Sequence, residues 1–266
     1  MKRFIPFMKS DPLVSVLRLQ GVIAGTGRGG VLNDANTSQM IEKAFSRGKP
    51  AAVALIINSP GGSAAQSSLI AARIKRLSEE KEVPVHAFVE DVAASGGYWL
   101  ACAAEKIWVD ASSIVGSIGV ISASFGLQDF IARFGIERRV HTAGKDKSML
   151  DPFRAERAED VERLKSIQTQ IHDAFIAHVQ SSRGDRLAKD DDLFTGEFWV
   201  GETAVGLGLA DGVAHLKPKM KELYGDKTRF AAYGPRRGLL QRVGVQIVDD
   251  LAGAVDARAA WARYGL

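Results

Sequence analysis

The chain has 266 residues, of which 46% are hydrophobic, and it carries a net charge of +4 and a single cysteine. This composition is typical of a globular protein that can bury one large core or two modest ones. One cysteine excludes an intramolecular disulfide, and the dispersed basic residues form no block that would favour nucleic-acid binding. The chain contains no H-E-x-x-H motif, no cysteine pair and no clustered His, Asp and Glu, so neither a metal nor a cofactor is predicted.

The N-terminus is basic and apolar, but its uncharged run, Phe4 to Met8, is too short for a signal peptide or a membrane span. The first strand is predicted at Leu13 to Leu19, so residues 1–12 are an N-terminal extension. No later window is apolar enough to span a membrane. We therefore expect a cytoplasmic protein with at most peripheral contact with the inner membrane.

A glycine-rich stretch after the first strand, Gly25 to Gly30, satisfies the G-x-G-x-x-G pattern of dinucleotide-binding folds. Those folds also place an acidic residue about 20 positions further on, at a strand end. The stretch Phe45 to Pro50 offers none. The pattern is better explained as a loop that leads into a helix capped by Asn36.

The next unit is a strand, a glycine turn and a helix. Ala51 to Ile57 is a continuous apolar run, typical of a strand buried on both faces. Pro60 ends it, and Gly61 and Gly62 permit positive φ. Apolar residues then recur at helical spacing from Ala64 to Leu77. This arrangement leaves unpaired N–H groups at the turn.

A second unit of the same kind follows and contains a serine. A strand, Val83 to Val89, leads to the small residues Ala94 to Tyr98, and a helix is predicted from Trp99 to Glu105. At such a turn Ser95 can present its hydroxyl to a substrate, while the following N–H, that of Gly96, is free to stabilise an oxyanion. The single cysteine lies in this helix and is expected to be a buried thiol.

The rest of the chain continues the α/β pattern. We expect an apolar segment at Val115 to Ile121, a strand at Glu137 to Thr142, a long charged helix at Asp151 to Ser182 and helical spacing in the tail, Arg236 to Arg263. Alternating strands and helices from residue 13 to about residue 215 favour a single α/β domain. Residues 216–266 are then a C-terminal extension, helical at its end.

Four ordered blocks of this sequence resemble the signal peptide peptidase A family of serine proteases: INSPGG (57–62), ASGGYWLACAAEKI (94–107), VGSIGVI (115–121) and GKDKSMLDPF (144–153). The fold of that family is related to those of ClpP and crotonase. The resemblance implies an α/β fold with a repeated β-β-α superhelical core, a long helix and a helical C-terminal tail.

The resemblance also implies roles for individual residues. Ser95 matches the nucleophile and Lys147 the general base. Gly62, with Gly61, matches the oxyanion turn, and the N–H of Gly96 is the second donor. The chain departs from the family pattern at Asp146, where an aromatic or small residue is usual, so Lys145 remains an alternative base.

The implied chemistry is that of a serine endopeptidase with a Ser-Lys dyad that works through an acyl-enzyme. An exposed lysine, with a pKa near 10.4, is protonated at pH 7 and cannot act as a base. Burial beside apolar atoms lowers that pKa and makes proton abstraction possible.

Other readings remain open. A Ser-His-Asp triad would need a histidine after the serine's helix, and Trp108 to Phe125 contains none. A crotonase-type acyl-CoA enzyme would need a carboxylate near the glycine turn, and a catalytically silent scaffold of the same fold is a further alternative. The resemblance implies peptide or unfolded-protein substrates and a homo-oligomer, from tetramer to octamer, in which neighbouring protomers share active sites.

Overall fold

The computed structural model describes residues 11–26, 31–144, 146–189, 191–234 and 258–266. The chain divides into two compact units, each of which is described by itself. The first unit comprises Met1–Ile118 and Ile176–Leu266, and the second comprises Gly119–Phe175.

The first unit is built on an eight-stranded sheet with the order β6-β5-β3-β2-β1-β8, in which β4 pairs with β3 and β7. Every pairing is parallel except that of β5 with β6. The strands are β1 Leu13–Gln20, β2 Ala52–Ser59, β3 Val85–Ala94, β4 Lys106–Val109, β5 Ile114–Gly116, β6 Phe198–Val200, β7 Gly212–Val213 and β8 Arg229–Tyr233.

The α-helices of the described residues up to 234 are α1 Asp34–Ser46, α2 Ala64–Lys81, α3 Gly96–Ala101, α4 Gln128–Arg133, α5 Ala158–Arg183, α6 Gly201–Gly206 and α7 Leu216–Tyr224. Short 3-10 helices lie at Gly184–Arg186 and Asp191–Phe194, and residues 258–262 are helical. Within the described ranges no helix has both the length and the apolar character needed to cross a membrane.

The sheet is buried on both faces. Val14, Ala54 and Phe88 form one cluster with Met220 of α7, and the residues that alternate with them, such as Leu17 and Leu55, are fully buried on the opposite face. Continuous apolar strands suit a parallel sheet covered on both sides. The buried strands expected from the sequence are thereby confirmed.

Several element boundaries differ from the sequence expectation. The cap of α1 is Asn33 rather than Asn36, because the Asn33 side chain accepts a hydrogen bond from the Asn36 N–H. Helix α5 begins at Ala158 instead of Asp151, since the Asp151 carboxylate accepts the Phe153 N–H in a local turn.

The expected strand at residues 137–142 is wrong: these residues are not in a strand. A strand forms only where a neighbouring strand satisfies its backbone groups. In the described part of the second unit, no strand is present to do so.

Part of the predicted C-terminal extension joins the sheet. Residues 216–234 contain α7 and β8, and β8 pairs in parallel with β1, Leu13 opposite Arg229. Most of the predicted tail helix, residues 235–257, lies outside the described residues. Residues 27–30 of the glycine-rich stretch also lie outside them.

Candidate active site

The two glycine turns lie side by side at one edge of the sheet. Strands β2 and β3 are parallel neighbours, with Ser59 opposite Ala93, so the chain leaves both strands at the same edge. A Cβ atom placed on Gly61 would lie 2.7 Å from the Gly96 nitrogen and 2.8 Å from the Ser95 Cβ. Gly61 also has a φ of +96°. Only glycine allows this close approach of the two turns.

Ser95 occupies a strained position between β3 and α3. Its φ of 50° and ψ of −122° are unusual for a residue with a side chain. Its N–H donates to the Gly116 oxygen at 2.8 Å, and its own carbonyl accepts the Trp99 N–H at 3.0 Å. The Ser95 side chain does not cap α3. These are the features of a sharp, strained strand-to-helix turn.

The N–H groups around Ser95 differ in their availability. Gly61 donates to the Ser59 hydroxyl at 3.2 Å, whereas the N–H groups of Gly62 and Gly96 have no hydrogen-bond partner within the first unit as described. Ile23 holds the turn from outside, because its N–H donates to the Gly61 oxygen at 2.8 Å. Gly62 and Gly96 can therefore donate to a ligand, while Gly61 contributes its lack of a side chain.

Ser59 belongs to this site although sequence reasoning missed it. Its hydroxyl donates to the Gly21 oxygen at 2.6 Å and accepts the Gly61 N–H. It thus joins the loop after β1 to the glycine turn. Its position directly before Pro60 and the two glycines is the signal that could have identified it.

Gly116, the last residue of β5, also contacts the turn that carries Ser95. Gly116 has a φ of +109°, and a Cβ there would lie 2.9 Å from the Trp199 ring. The next residue, Ser117, donates its N–H to the Glu197 oxygen at 2.6 Å. The glycine therefore lets the strand approach Trp199 while its carbonyl receives the Ser95 N–H.

Lys147 lies in the second unit, in a loop next to the start of α5. Its N–H donates to the Gly144 oxygen at 3.3 Å, and its side chain is exposed. The neighbouring Asp146 carboxylate is 3.8 Å from Arg163 of α5. Lys145, the alternative base, lies outside the described residues. The structure thus assembles the serine and glycine positions within one unit and places Lys147 in the other.

The histidines of the first unit have partners other than Ser95. His86 is hydrogen-bonded to the Tyr224 hydroxyl, His178 to the Trp99 carbonyl and His215 to Asp110. These contacts give no support to a Ser-His-Asp triad in this unit.

Cys102 is the residue that caps the C-terminus of α3. It is buried, and burial raises the pKa of its thiol to about 12. The expected buried thiol is confirmed.

Two solved protease structures have a fold similar to that of this chain. The solved 1510-N membrane-bound stomatin-specific protease, in a serine-to-alanine form, has a similar fold with a TM-score of 0.53 at 14% identity, over 86% of this chain and all of that one. A lysine-to-alanine form, solved with a substrate peptide, gives a TM-score of 0.50 at 13% identity, over 93% and 99%. The fold is therefore the ClpP/crotonase-like α/β fold of these proteases.

The particular family follows from the sequence. The family model "Peptidase family S49" matches residues 78–227, which is more than half of the chain. The chain therefore belongs to peptidase family S49 and is an SppA-like member of it. It is 26% identical over 226 residues to a putative signal peptide peptidase SppA of Enterococcus faecium, covering 82% of this chain and 64% of that protein.

A longer relative carries a different name. The whole chain is 45% identical over 286 residues to part of a protein of Brucella abortus named Na(+)/H(+) antiporter NhaA. The chain spans only 39% of that protein's length. The match places a stretch like this chain inside a longer polypeptide.

Proposed function

We propose that this chain is a serine endopeptidase in which Ser95 is the nucleophile and Lys147 the general base. The observation that carries the proposal is the Ser95 turn, whose strained backbone lies against the glycine turn, where the N–H groups of Gly62 and Gly96 are both available. A nucleophile next to two oxyanion donors is the minimal apparatus for acyl transfer.

The reaction proceeds in two stages. Ser95 Oγ attacks the scissile carbonyl while its proton passes to neutral Lys147, and the N–H groups of Gly62 and Gly96 stabilise the oxyanion. The intermediate collapses as Lys147 returns the proton to the departing amine, leaving an ester on Ser95. Water then gives a proton to Lys147 and attacks the ester, and the ester bond breaks as Lys147 passes that proton to Ser95 Oγ, which releases the acid.

Lys147 must lose its contact with water before it can act as a base, because exposure favours the ammonium form. In the chain described here its side chain is exposed. We therefore infer that a neighbouring protomer or the bound substrate covers it.

Assembly into a homo-oligomer, from tetramer to octamer with active sites shared between protomers, would provide this cover. The second unit supports assembly because it exposes large apolar side chains, and helix α4 has no buried residue. The exposed apolar face comprises Ile121, Phe125, Phe130, Phe134 and Ile136. Apolar surface of this kind typically marks a protein interface.

The substrates we propose are unfolded or signal-peptide-like segments with small or apolar residues near the cut. The similarity to a signal peptide peptidase and to a protease solved with a substrate peptide supports this class. We place the protein in the cytoplasm, with at most peripheral contact with the inner membrane.

The test is turnover of a fluorogenic peptide panel by the wild type, Ser95→Ala, Lys147→Ala and Lys145→Ala, between about pH 6 and 10. We expect activity in the wild type and in Lys145→Ala only. Full turnover by Ser95→Ala would contradict the protease assignment, and acyl-CoA binding would then be measured. Full turnover by Lys147→Ala would overturn the choice of base.

A further inference from the structure

The helix that follows Ser95 is very short and depends on contacts from other elements. Helix α3 has six residues, Gly96–Ala101, and a single short helix is not stable by itself. Its residue Trp99 closes the first turn on Ser95, because the Trp99 N–H donates to the Ser95 oxygen at 3.0 Å. The position of Trp99 therefore bears directly on the backbone of the nucleophile.

Helix α5 contacts Trp99 in two ways through one side chain. The ring of His178 stacks on the indole with the centroids 5.1 Å apart and the planes 19° apart. The His178 Nε2 atom also lies 3.0 Å from the Trp99 carbonyl oxygen, so the Nε2–H tautomer donates a hydrogen bond there. The imidazole thus fixes both the ring and the backbone of Trp99.

The part of α5 that carries His178 is itself held firmly. Val179 is fully buried beside it, and Arg183 at the end of the helix is 1% exposed. Arg183 donates to the Gly208 oxygen at 2.8 Å and pairs with Asp211 at 2.7 Å. Tyr98 of α3 donates to the adjacent Leu209 oxygen at 2.8 Å. Both helices are therefore anchored on one segment, and His178 makes a direct contact between them.

We propose that His178 is a positioning residue for Ser95, which holds α3 by stacking on Trp99 and donating to its carbonyl. The strained backbone of Ser95 persists only if its surroundings determine it completely. Without the imidazole, Trp99 and the turn that it closes would shift, and the Ser95 hydroxyl would leave the attacking geometry. Small misplacements of a reacting group cost large factors in rate. This inference rests on the proposed role of Ser95.

The protonation state of His178 predicts a dependence of activity on pH, which provides a second test of the proposal. Burial lowers its pKa, and the positive charge of Lys75 on α2 acts in the same direction, while the bond to the Trp99 carbonyl opposes them. The imidazole is therefore neutral at pH 7. Proton uptake, which the lowered pKa places below pH 6.5, would put a charge in this half-buried site beside Lys75, and so favour the state in which His178 has left the contact.

The experiment compares kcat and KM for a fluorogenic peptide, and the rate at which a fluorophosphonate labels Ser95. The variants are His178→Ala, which removes ring and donor, and His178→Phe, which keeps the stacking and loses the donor. Gln180→Ala is the control, since Gln180 is exposed on the same helix. We expect His178→Ala to lower kcat and the labelling rate about tenfold or more with KM unchanged, and His178→Phe to recover part of the loss.

Below pH 6.5 we expect the wild type to lose activity more steeply than His178→Phe, which has no proton to take up. If folded His178→Ala, tested well below its Tm, turns over and is labelled like Gln180→Ala, the proposal is overturned. The proposal is also overturned if activity falls with decreasing pH in the same way in the wild type and in His178→Phe. Failure of the proposed function looks different, because the wild type would then not be labelled and Ser95→Ala would keep its activity.

Discussion

At the scale of single residues, the site depends on a close backbone contact that only glycine permits. Gly61 has a positive φ, and its α-carbon lies against the turn that carries Ser95 and Gly96. Its own N–H is engaged by Ser59. Its contribution is therefore space, and substitution by alanine tests that contribution directly.

We expect Gly61→Ala to lower kcat by about a hundredfold or more, because the added methyl group pushes the Gly96 N–H away from the oxyanion. The matched control is Gly206→Ala, where a Cβ atom meets nothing within 4 Å. Peptide turnover by the two variants, compared at equal concentration of folded protein, is the measurement. Equal turnover by both variants would show that the two turns need not approach so closely.

Asp211 is the residue on which the end of α5 depends. Its side chain is 7% exposed and pairs with the fully buried Arg183, and it also accepts the Ile107 N–H at 2.8 Å. Burial by itself would raise the pKa of Asp211, but these hydrogen bonds outweigh burial and hold the pKa below its usual value. The charged form is therefore the stable one in the folded protein.

We expect Asp211→Asn to lower the free energy of unfolding by about 3 kcal/mol, since it leaves the buried Arg183 without its counter-ion. Urea denaturation measures the loss, with the exposed Asp226→Asn as control. The wild type should lose this contribution as the pH falls below the ordinary carboxyl pKa and through the lowered pKa of Asp211. A variant as stable as the Asp226 control would contradict this account of the ion pair.

At the scale of elements, local patterns located the strands and helices well and their ends less well. Buried parallel strands such as β2 are read easily, because burial on both faces demands continuous apolar residues. Residues 137–142 were expected to form a strand and do not, since strand formation requires a partner strand that local sequence does not report. Helix ends depend on single hydrogen bonds, as at Asn33.

The start of α1 provides a test of this point. We expect Asn33→Ala to cost about 1 kcal/mol of stability because it removes the acceptor for the Asn36 N–H. Asn36→Ala should be neutral or slightly stabilising, since alanine is the better helix former at an exposed helical position. Urea denaturation of both variants is the measurement, and an equal loss in both would mean that the cap is assigned to the wrong residue.

At the scale of the whole molecule, the exposed apolar face of the second unit is the feature that favours binding to another protein chain. Phe130 and Phe134 contact each other with ring centroids 5.0 Å apart, yet each is at least 60% exposed. An interface between copies of the chain would remove this surface from water.

We expect Phe130→Ser to shift the protein from an oligomer to a monomer in light scattering and to abolish peptide turnover, because Lys147 would remain exposed. Its fold should persist, since Phe130 contributes no buried side chain to α4. Leu223→Ser, an exposed apolar residue of α7, serves as the control. An active, stable monomer would rule out shared active sites.

The sequence by itself determined the family, the α/β class and the candidate serine, glycines and lysine. Short motifs that require a special backbone conformation can be recognised from adjacent residues alone. Only the tertiary structure decided that Gly61 and Gly96 touch, that the Gly61 N–H is engaged by Ser59 and that His178 holds Trp99. The first and the last of these contacts join residues far apart in the chain. They depend on the register of parallel strands and on helix placement, which adjacent residues do not encode.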